Sequence, residues 1–287
     1  MGSGSWSRDA FVNYSRLSKN ASVDDKGVLR SNMSNQEMFK ARNIDEALDP
    51  HGVLRECCDS EEHPNTIPII LALDVTGSMG QASVEVAKKL NVIMTKLYKE
   101  VKDVEFMIMG IGDLACDSAP IQVSQFESDI RIAEQLDKVW FEFGGGGNRY
   151  ESYTAAWYFG LHNTALSCWK RGKKGIIITI GDELPNPYLP KERLERVLGT
   201  PVQAHINTPD LYEEATQKFD IYHMDINHNR RYDEQDIYDS WDRLLGDHFV
   251  KSNLDNIDND IVDIILKVTN GPGIKTENAI SNEGIRW

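Results

Sequence analysis

The sequence predicts a three-layer α/β fold, in which helices cover both faces of a doubly wound, mostly parallel sheet of six strands. Two observations predict it. Short, continuously apolar runs, typical of parallel strands buried on both faces, alternate with stretches whose apolar residues recur every three or four positions, as on the buried side of a helix. The chain has 287 residues, 40% of them hydrophobic, so it is long enough to bury a large core.

The predicted elements begin at residue 67. The run Ile67–Asp74 is apolar up to its final aspartate and predicts a central strand, and apolar residues spaced three and four apart from Val84 to Leu97 predict the helix that follows. A short run at 121–126, joined by a close turn, indicates an antiparallel strand at the edge of the sheet. The other strands are expected at 104–112, 175–182, 219–225 and 248–250, and the other helices at 130–136, 153–169, 191–198, 237–245 and 257–268, with one more beginning at the predicted N-cap Thr208.

This pattern divides the chain into three parts. Residues 1–66 show little periodicity and many polar residues, and we interpret them as an N-terminal arm. Residues 67–271 form the predicted domain, and 272–287 form a C-terminal tail. Two alternatives stay open for the arm, since it either folds over the sheet as part of the core or serves as a partner-binding segment.

The charge and the apolar pattern exclude several classes of function. Lys+Arg number 31 against 45 Asp+Glu, which gives a net charge of −14, whereas nucleic acids and anionic membranes are met by basic surfaces. No stretch approaches the roughly 18 consecutive apolar residues that span a bilayer, and the first residues lack the features of a signal peptide. We therefore expect a cytoplasmic protein with no membrane or nucleic-acid partner. The four cysteines show no disulfide or zinc-site spacing and are expected to be reduced thiols.

Two of the most apolar predicted strands end in a carboxylate, Asp74 and Asp182. In an open parallel sheet the carboxyl ends of the strands form the ligand crevice. Asp74 also opens the turn Asp74-Val75-Thr76-Gly77-Ser78, which places one carboxylate and two hydroxyls before the next helix. These are hard oxygen ligands, which suit Mg²⁺ or Ca²⁺ better than zinc or copper.

This Asp-x-Thr-x-Ser turn after an apolar strand resembles the metal-ion-dependent adhesion site (MIDAS) of von Willebrand factor A (VWA) domains, whose pattern is Asp-x-Ser-x-Ser. The resemblance covers about residues 67–270, and it implies a Rossmann-like sheet of order 3-2-1-4-5-6. It further implies direct metal contacts from Thr76 and Ser78, contacts from Asp74 and Asp182 made directly or through water, and Mg²⁺ as the cation, with Ca²⁺ or Mn²⁺ as alternatives. An intracellular bacterial or phage protein of this family is expected to bind another protein, in some cases an AAA+ ATPase of the MoxR type.

The chain departs from the family in its second loop. Where the family has Gly-Gly-Thr, this sequence has Gly144–Gly147 followed by Asn148-Arg149-Tyr150-Glu151-Ser152, so the threonine ligand is missing. Glu151 is the preferred substitute, with Asn148 and Ser152 as alternatives. Glu151 is equally explained as an acid at the start of a helix, where the helix dipole favours it.

With Glu151 in the site, three carboxylates surround one divalent cation and leave a net negative charge. Asp113, Asp117 and Glu183 are expected to crowd the same rim. The hypothesis is an acidic, metal-bearing face that either holds its cation structurally or prefers a ligand with basic groups.

The function predicted from these residues is a non-enzymatic, metal-dependent protein-binding module. The alternative is a metal-dependent hydrolase or phosphatase that uses the same acidic residues, but phosphatases of the haloacid-dehalogenase type need a second aspartate where this chain has Thr76. Dinucleotide binding is disfavoured because the first turn lacks Gly-x-Gly-x-x-Gly. A calcium loop starting at Asp225 is disfavoured because Arg230 stands where the sharp turn needs glycine. We expect His223 to be a core histidine.

Overall fold

A computed structural model describes residues 4–77, 79–142, 149–226 and 234–271, with all of their side chains except those of Asn35 and Met38. It shows a central six-stranded sheet covered by helices on both faces, which confirms the predicted fold class. Among the described residues, no helix combines the length and the apolar character that crossing a bilayer requires.

The segment before the central sheet forms six short elements. They are helix α1 (Arg8–Lys19), strands β1 (Ser22–Val23) and β2 (Leu29–Arg30), helix α2 (Asn35–Met38), a 3-10 turn (Glu46–Leu48) and strand β3 (Arg55–Cys57).

The rest of the chain alternates strands and helices, as the apolar pattern predicts. Its first half contains β4 (Ile67–Asp74), α3 (Gly80–Glu100), β5 (Val104–Ile111), β6 (Ile121–Val123), α4 (Arg131–Leu136), β7 (Tyr150–Glu151), α5 (Thr154–His162), β8 (Thr164–Leu166) and α6 (Ser167–Lys170). Its second half contains β9 (Gly175–Gly181), β10 (Leu184–Pro185), β11 (Tyr188–Leu189), α7 (Lys191–Leu198), β12 (Ile206–Asn207), α8 (Thr208–Ala215), β13 (Phe219–Ile226), α9 (Glu234–Leu245), a 3-10 turn (Gly246–His248), β14 (Phe249–Ser252) and α10 (Ile257–Asn270).

The central sheet has the strand order β14-β13-β9-β4-β5-β6. Numbered along the chain, this is the predicted order 3-2-1-4-5-6, and β6 is the predicted antiparallel edge strand, whereas the other neighbours pair in parallel. In this register Asp74 at the end of β4 pairs with Ile111 at the end of β5, and Leu73 pairs with Ile180 of β9. The carboxyl ends of these three central strands therefore lie side by side at one edge.

Alternate residues of the sheet enter two separate hydrophobic cores. The core on one face contains α3, α4 and α10, and the core on the other contains α5, α7, α8 and α9. The first core also takes Phe11, Leu29, Phe39 and Leu48 from the segment before the sheet. In the described residues 4–66, these side chains pack over the sheet as part of the core, as in the first of the two alternatives.

The prediction of one continuous helix at 153–169 is wrong at residues 163–166, which separate α5 from the short helix α6. Helix α5 ends at His162, and after Asn163 the residues Thr164–Leu166 form β8, which pairs in parallel with β3. The cause is a pairing with a distant strand, which a periodic apolar pattern cannot reveal. A smaller correction concerns α8, whose N-cap is Asn207 and not Thr208, because the Asn207 side chain accepts the Asp210 amide hydrogen at 3.3 Å.

All four cysteines are free thiols, as predicted. Cys57 and Cys168 are buried, and burial is the largest cause that raises the pKa of both thiols.

Candidate metal centre

The first part of the candidate site is the turn that follows β4. Asp74 is fully buried, and its Oδ1 accepts hydrogen bonds from the Thr76 amide at 2.9 Å and the Thr76 hydroxyl at 2.6 Å. The Ser83 hydroxyl donates to the Asp74 carbonyl at 2.6 Å and ties the turn to the start of α3. Because the Thr76 hydroxyl uses its hydrogen on Asp74, its oxygen lone pairs remain available to a cation. Ser78, the other predicted hydroxyl ligand of this turn, lies outside the described residues.

The second part is the end of β9, where the buried Asp182 follows the strand as predicted. The amides of Asp182 and Glu183 both donate to the hydroxyl of Tyr153, at 3.2 and 3.3 Å. The same hydroxyl donates to Asp74 Oδ2 at 2.7 Å. A single phenol therefore joins the ends of β4 and β9.

Glu151 lies close to these residues but not where the helix-dipole interpretation requires. It belongs to the short strand β7, which pairs in parallel with β10, and α5 starts only at Thr154. Its side chain is 6% exposed. The pKa of Glu151 is raised strongly, first by burial and then by the negative charges of neighbouring acids, which are Asp74, Asp117, Asp113 and Glu183. The structure therefore brings Glu151 near enough to Asp74 for the charge of Asp74 to raise the pKa of Glu151.

The rim acids Asp113 and Asp117 form a loop of their own after β5. The Asp113 amide donates to Asp117 Oδ2 at 2.6 Å, and the pKa of Asp117 is raised by burial and by the charge of Asp113. Ser152, an alternative to Glu151 as a ligand, accepts the Leu114 amide hydrogen at 3.0 Å and so serves this loop. Asn148 and Gly144–Gly147 lie outside the described residues.

The carboxylate and hydroxyl oxygens of the site suit a hard divalent cation, and one of these oxygens has no other partner within the described ranges to neutralise it. Glu151 Oε2 is buried and has no hydrogen-bond partner among the described residues. A buried carboxylate without a partner costs several kcal/mol unless it is protonated or neutralised by a cation. In the described part of the chain, no three His, Cys, Asp or Glu side chains are placed to hold a metal by themselves, so a cation here requires hydroxyl ligands such as Thr76.

An aromatic group packs behind the site. The rings of His223 and Trp241 stack with centroids 3.7 Å apart, and Tyr153 lies 5.0 Å from the His223 ring. His223 is fully buried, and its Nδ1 is 2.8 Å from the Thr179 hydroxyl, which matches the prediction of a core histidine. Asp225 is buried near the end of β13, and residues 227–233 of the disfavoured calcium loop lie outside the described residues.

Sequence reasoning missed Tyr153. Its hydroxyl contacts Asp74, which lies 79 positions earlier in the chain, and no local sequence pattern indicates this contact. The one local signal is Gly181, directly before Asp182, because a Cβ there would lie 2.1 Å from the Tyr153 hydroxyl.

The comparisons with known proteins give fold-level likenesses only. No family model matches the chain, and no curated protein matches it by sequence. The pilus adhesin SpaC from Lactobacillus rhamnosus GG, in its open conformation, matches with a TM-score of 0.50 and 13% identity over 76% of this chain and 31% of SpaC. This chain therefore spans about a third of the length of SpaC.

Two other solved structures are similar at lower scores. The vWF domain of the type V pili tip protein Mfa5 from Porphyromonas gingivalis matches with a TM-score of 0.46 and 11% identity over 73% of this chain and 98% of that domain. Proximal thread matrix protein 1 from the mussel byssus, with a zinc-occupied MIDAS motif, matches at 0.44 and 8% identity over 74% and 48%. The sheet order agrees with the order that the VWA resemblance implies, and the likeness to SpaC shows the fold alone. Identities this low say nothing about ligands.

Proposed function

We propose that this chain is a metal-dependent protein-binding module. A divalent cation, Mg²⁺ by preference and Ca²⁺ or Mn²⁺ as alternatives, would be held at the carboxyl ends of β4 and β9. Thr76 and Ser78 would bind it directly, Glu151 would replace the missing threonine, and Asp74 and Asp182 would contact it directly or through water. The observation that carries the proposal is the buried Oε2 of Glu151, which has no hydrogen-bond partner in the described part of the chain and lies in the field of the buried Asp74 carboxylate.

The charge around the site supports a ligand with basic groups. The field of Asp113, Asp117 and Glu183 already raises the pKa of Glu151, so further negative charge from a partner would be repelled. A lysine or arginine side chain would be attracted to the same rim. We propose no catalytic role, and the MoxR-type ATPase partner and the cytoplasmic location stay predictions.

Calorimetric titration of the metal-free protein with Mg²⁺, Ca²⁺ and Mn²⁺ tests the metal site. Wild type is expected to bind, and Glu151→Gln is expected to bind at least about tenfold more weakly, because a charged ligand is lost. Glu192→Gln, on the exposed side of α7, is the matched control and should bind like wild type. Unchanged affinity in Glu151→Gln would remove Glu151 from the site.

Affinity capture from the native cell, with and without EDTA, tests the protein-binding function. Partners that are lost on chelation support a metal-mediated interface, whereas partners that stay bound show that the metal does not mediate it. An aryl-phosphate assay with Mg²⁺ addresses the alternative, since turnover that disappears in Asp74→Asn would identify a phosphatase.

A further inference from the structure

The hydroxyl of Tyr153 has no hydrogen-bonding capacity left for a cation. A phenol offers one donor and two acceptor positions. In Tyr153 the donor goes to Asp74 Oδ2 at 2.7 Å, and the two acceptor positions take the amides of Asp182 and Glu183 at 3.2 and 3.3 Å. Tyr153 is therefore not itself a metal ligand, but it contacts two of the residues predicted to be ligands.

The ring of Tyr153 is held independently of its hydroxyl. It lies against Gly181, which has no side chain to displace it, and against the rings of His223 and Trp241, with centroids 5.0 and 5.7 Å away. Trp241 in turn donates its indole hydrogen to the Glu183 carbonyl at 2.9 Å. Because protein interiors are closely packed, these contacts hold the ring, and with it the phenol oxygen, in one position.

Tyr153 also stands two residues after Glu151, immediately before α5. One residue thus connects all three segments that carry predicted carboxylate ligands, namely the ends of β4 and β9 and the short strand β7. Asp74 Oδ1 is fixed by Thr76, and Oδ2 is fixed by Tyr153, so the Asp74 carboxylate cannot rotate without losing one of these bonds.

We propose that Tyr153 is a positioning residue of the metal site. Its hydroxyl orients the Asp74 carboxylate and holds the end of β4 at a set distance from the end of β9. This inference rests on the proposed metal-binding function. Groups that hydrogen-bond to metal ligands and so orient them commonly contribute about 10- to 100-fold to metal affinity.

The test is Mg²⁺ affinity, measured by calorimetry on the full chain, for wild type, Tyr153→Phe and Tyr158→Phe. Tyr158 is a matched control because it is likewise a buried tyrosine, it lies within α5, and no hydrogen bond of its hydroxyl is found among the described residues. Tyr153→Phe is expected to bind at least about tenfold more weakly, and Tyr158→Phe is expected to bind like wild type. The free energy of unfolding in EDTA, measured for the same three proteins, separates a purely structural effect from one on the metal site.

A second measurement does not depend on the folding of a variant. 3-Fluorotyrosine placed at position 153 or at position 158 of the otherwise wild-type chain is followed by ¹⁹F NMR during a Mg²⁺ titration. The resonance at 153 is expected to shift and the resonance at 158 to stay.

The outcomes distinguish this inference from the function on which it rests. Binding of Mg²⁺ by wild type, with equal affinity in Tyr153→Phe or with no shift of the resonance at 153, overturns the role of Tyr153 and leaves the metal site intact. A Tyr153→Phe protein that loses only stability in EDTA overturns it in the same way. Failure of wild type to bind Mg²⁺, Ca²⁺ or Mn²⁺ overturns both.

Discussion

Phe39 and Phe141 pack edge to face, with ring centroids 4.9 Å apart and an interplanar angle of 67°. Phe39 comes from the segment before the central sheet, and Phe141 comes from the stretch that follows α4. The next residue, Glu142, donates its amide hydrogen to the Val75 carbonyl at 3.1 Å, so this stretch runs beside the turn of the candidate site. The N-terminal segment therefore supports the backbone next to the predicted ligands.

Truncation of Phe39 should destabilise the whole protein. Phe39→Ala removes a buried aromatic side chain, which typically costs about 3–5 kcal/mol of unfolding free energy. Leu17→Ala is the control, because Leu17 is 80% exposed and its loss should change stability by less than about 0.5 kcal/mol. Urea unfolding measures both, and equal midpoints for Phe39→Ala and wild type would show that the segment is not part of the folding unit.

The stability of the metal-free protein should fall as the pH rises. The pKa of Glu151 is raised above its ordinary value of 4.5, so above that pH the folded state binds a proton that the unfolded state has released. This contribution is complete below pH 4.5 and is lost as the pH rises toward the folded-state pKa, with a slope of up to about 1.4 kcal/mol per pH unit.

Urea unfolding in EDTA between about pH 5 and 8 measures this slope. Glu151→Gln should flatten it, and Glu192→Gln should leave it as in wild type. A saturating divalent cation should also reduce the slope, because it stabilises the charged carboxylate. A slope that is the same in Glu151→Gln and wild type would assign it to other groups.

Gly181→Ala should destabilise the fold by overpacking. The added Cβ would lie 2.1 Å from the Tyr153 hydroxyl and 2.3 Å from the ring carbon that carries it, and such clashes typically cost about 1–3 kcal/mol. Gly246→Ala is a useful comparison because open space surrounds that position, so only its backbone conformation at φ +54° opposes the change. In a Tyr153→Ala background the cost of Gly181→Ala should shrink, and full additivity of the two changes would refute the contact.

Thr76→Val should reduce the free energy of Mg²⁺ binding by more than it reduces the free energy of unfolding. The substitution keeps the shape of the side chain but removes the hydroxyl that is both a predicted ligand and a donor to Asp74. We expect a loss of at least about tenfold in Mg²⁺ affinity. Thr95→Val, in α3 and away from the turn, should bind as wild type does. Equal affinities of the two variants would exclude Thr76 as a ligand.

The central sheet could be predicted from the sequence because its main strands are recognisable from their own apolar residues. Gly175–Gly181 is buried along its whole length and Ile67–Asp74 at every residue except the half-buried Ile67, and such unbroken apolar runs are typical of parallel strands covered on both faces. The end of α5 at His162 is not marked by a comparable sequence pattern, because β8 is a strand only through its pairing with β3.

In the candidate site, the positions of the strand-end aspartates could be predicted from the sequence. Asp74 and Asp182 stand at strand ends, where the sequence itself marks them, and the structure buries both. Tyr153 was not predictable, because its role depends on contacts with residues that are distant in sequence. The position of Glu151 in a strand was missed for the same reason, since β7 is defined by its pairing with β10.

The close fit of Tyr153 on Gly181 predicts that these two positions change together among homologues. Because any side chain at 181 would occupy the space of the phenol, a homologue with alanine or a larger residue there is expected to have replaced the tyrosine or moved the start of α5. The pair is thus a sequence marker. Homologues that keep both residues are expected to share this way of orienting the strand-end aspartate, and those that change one are expected to have changed the other.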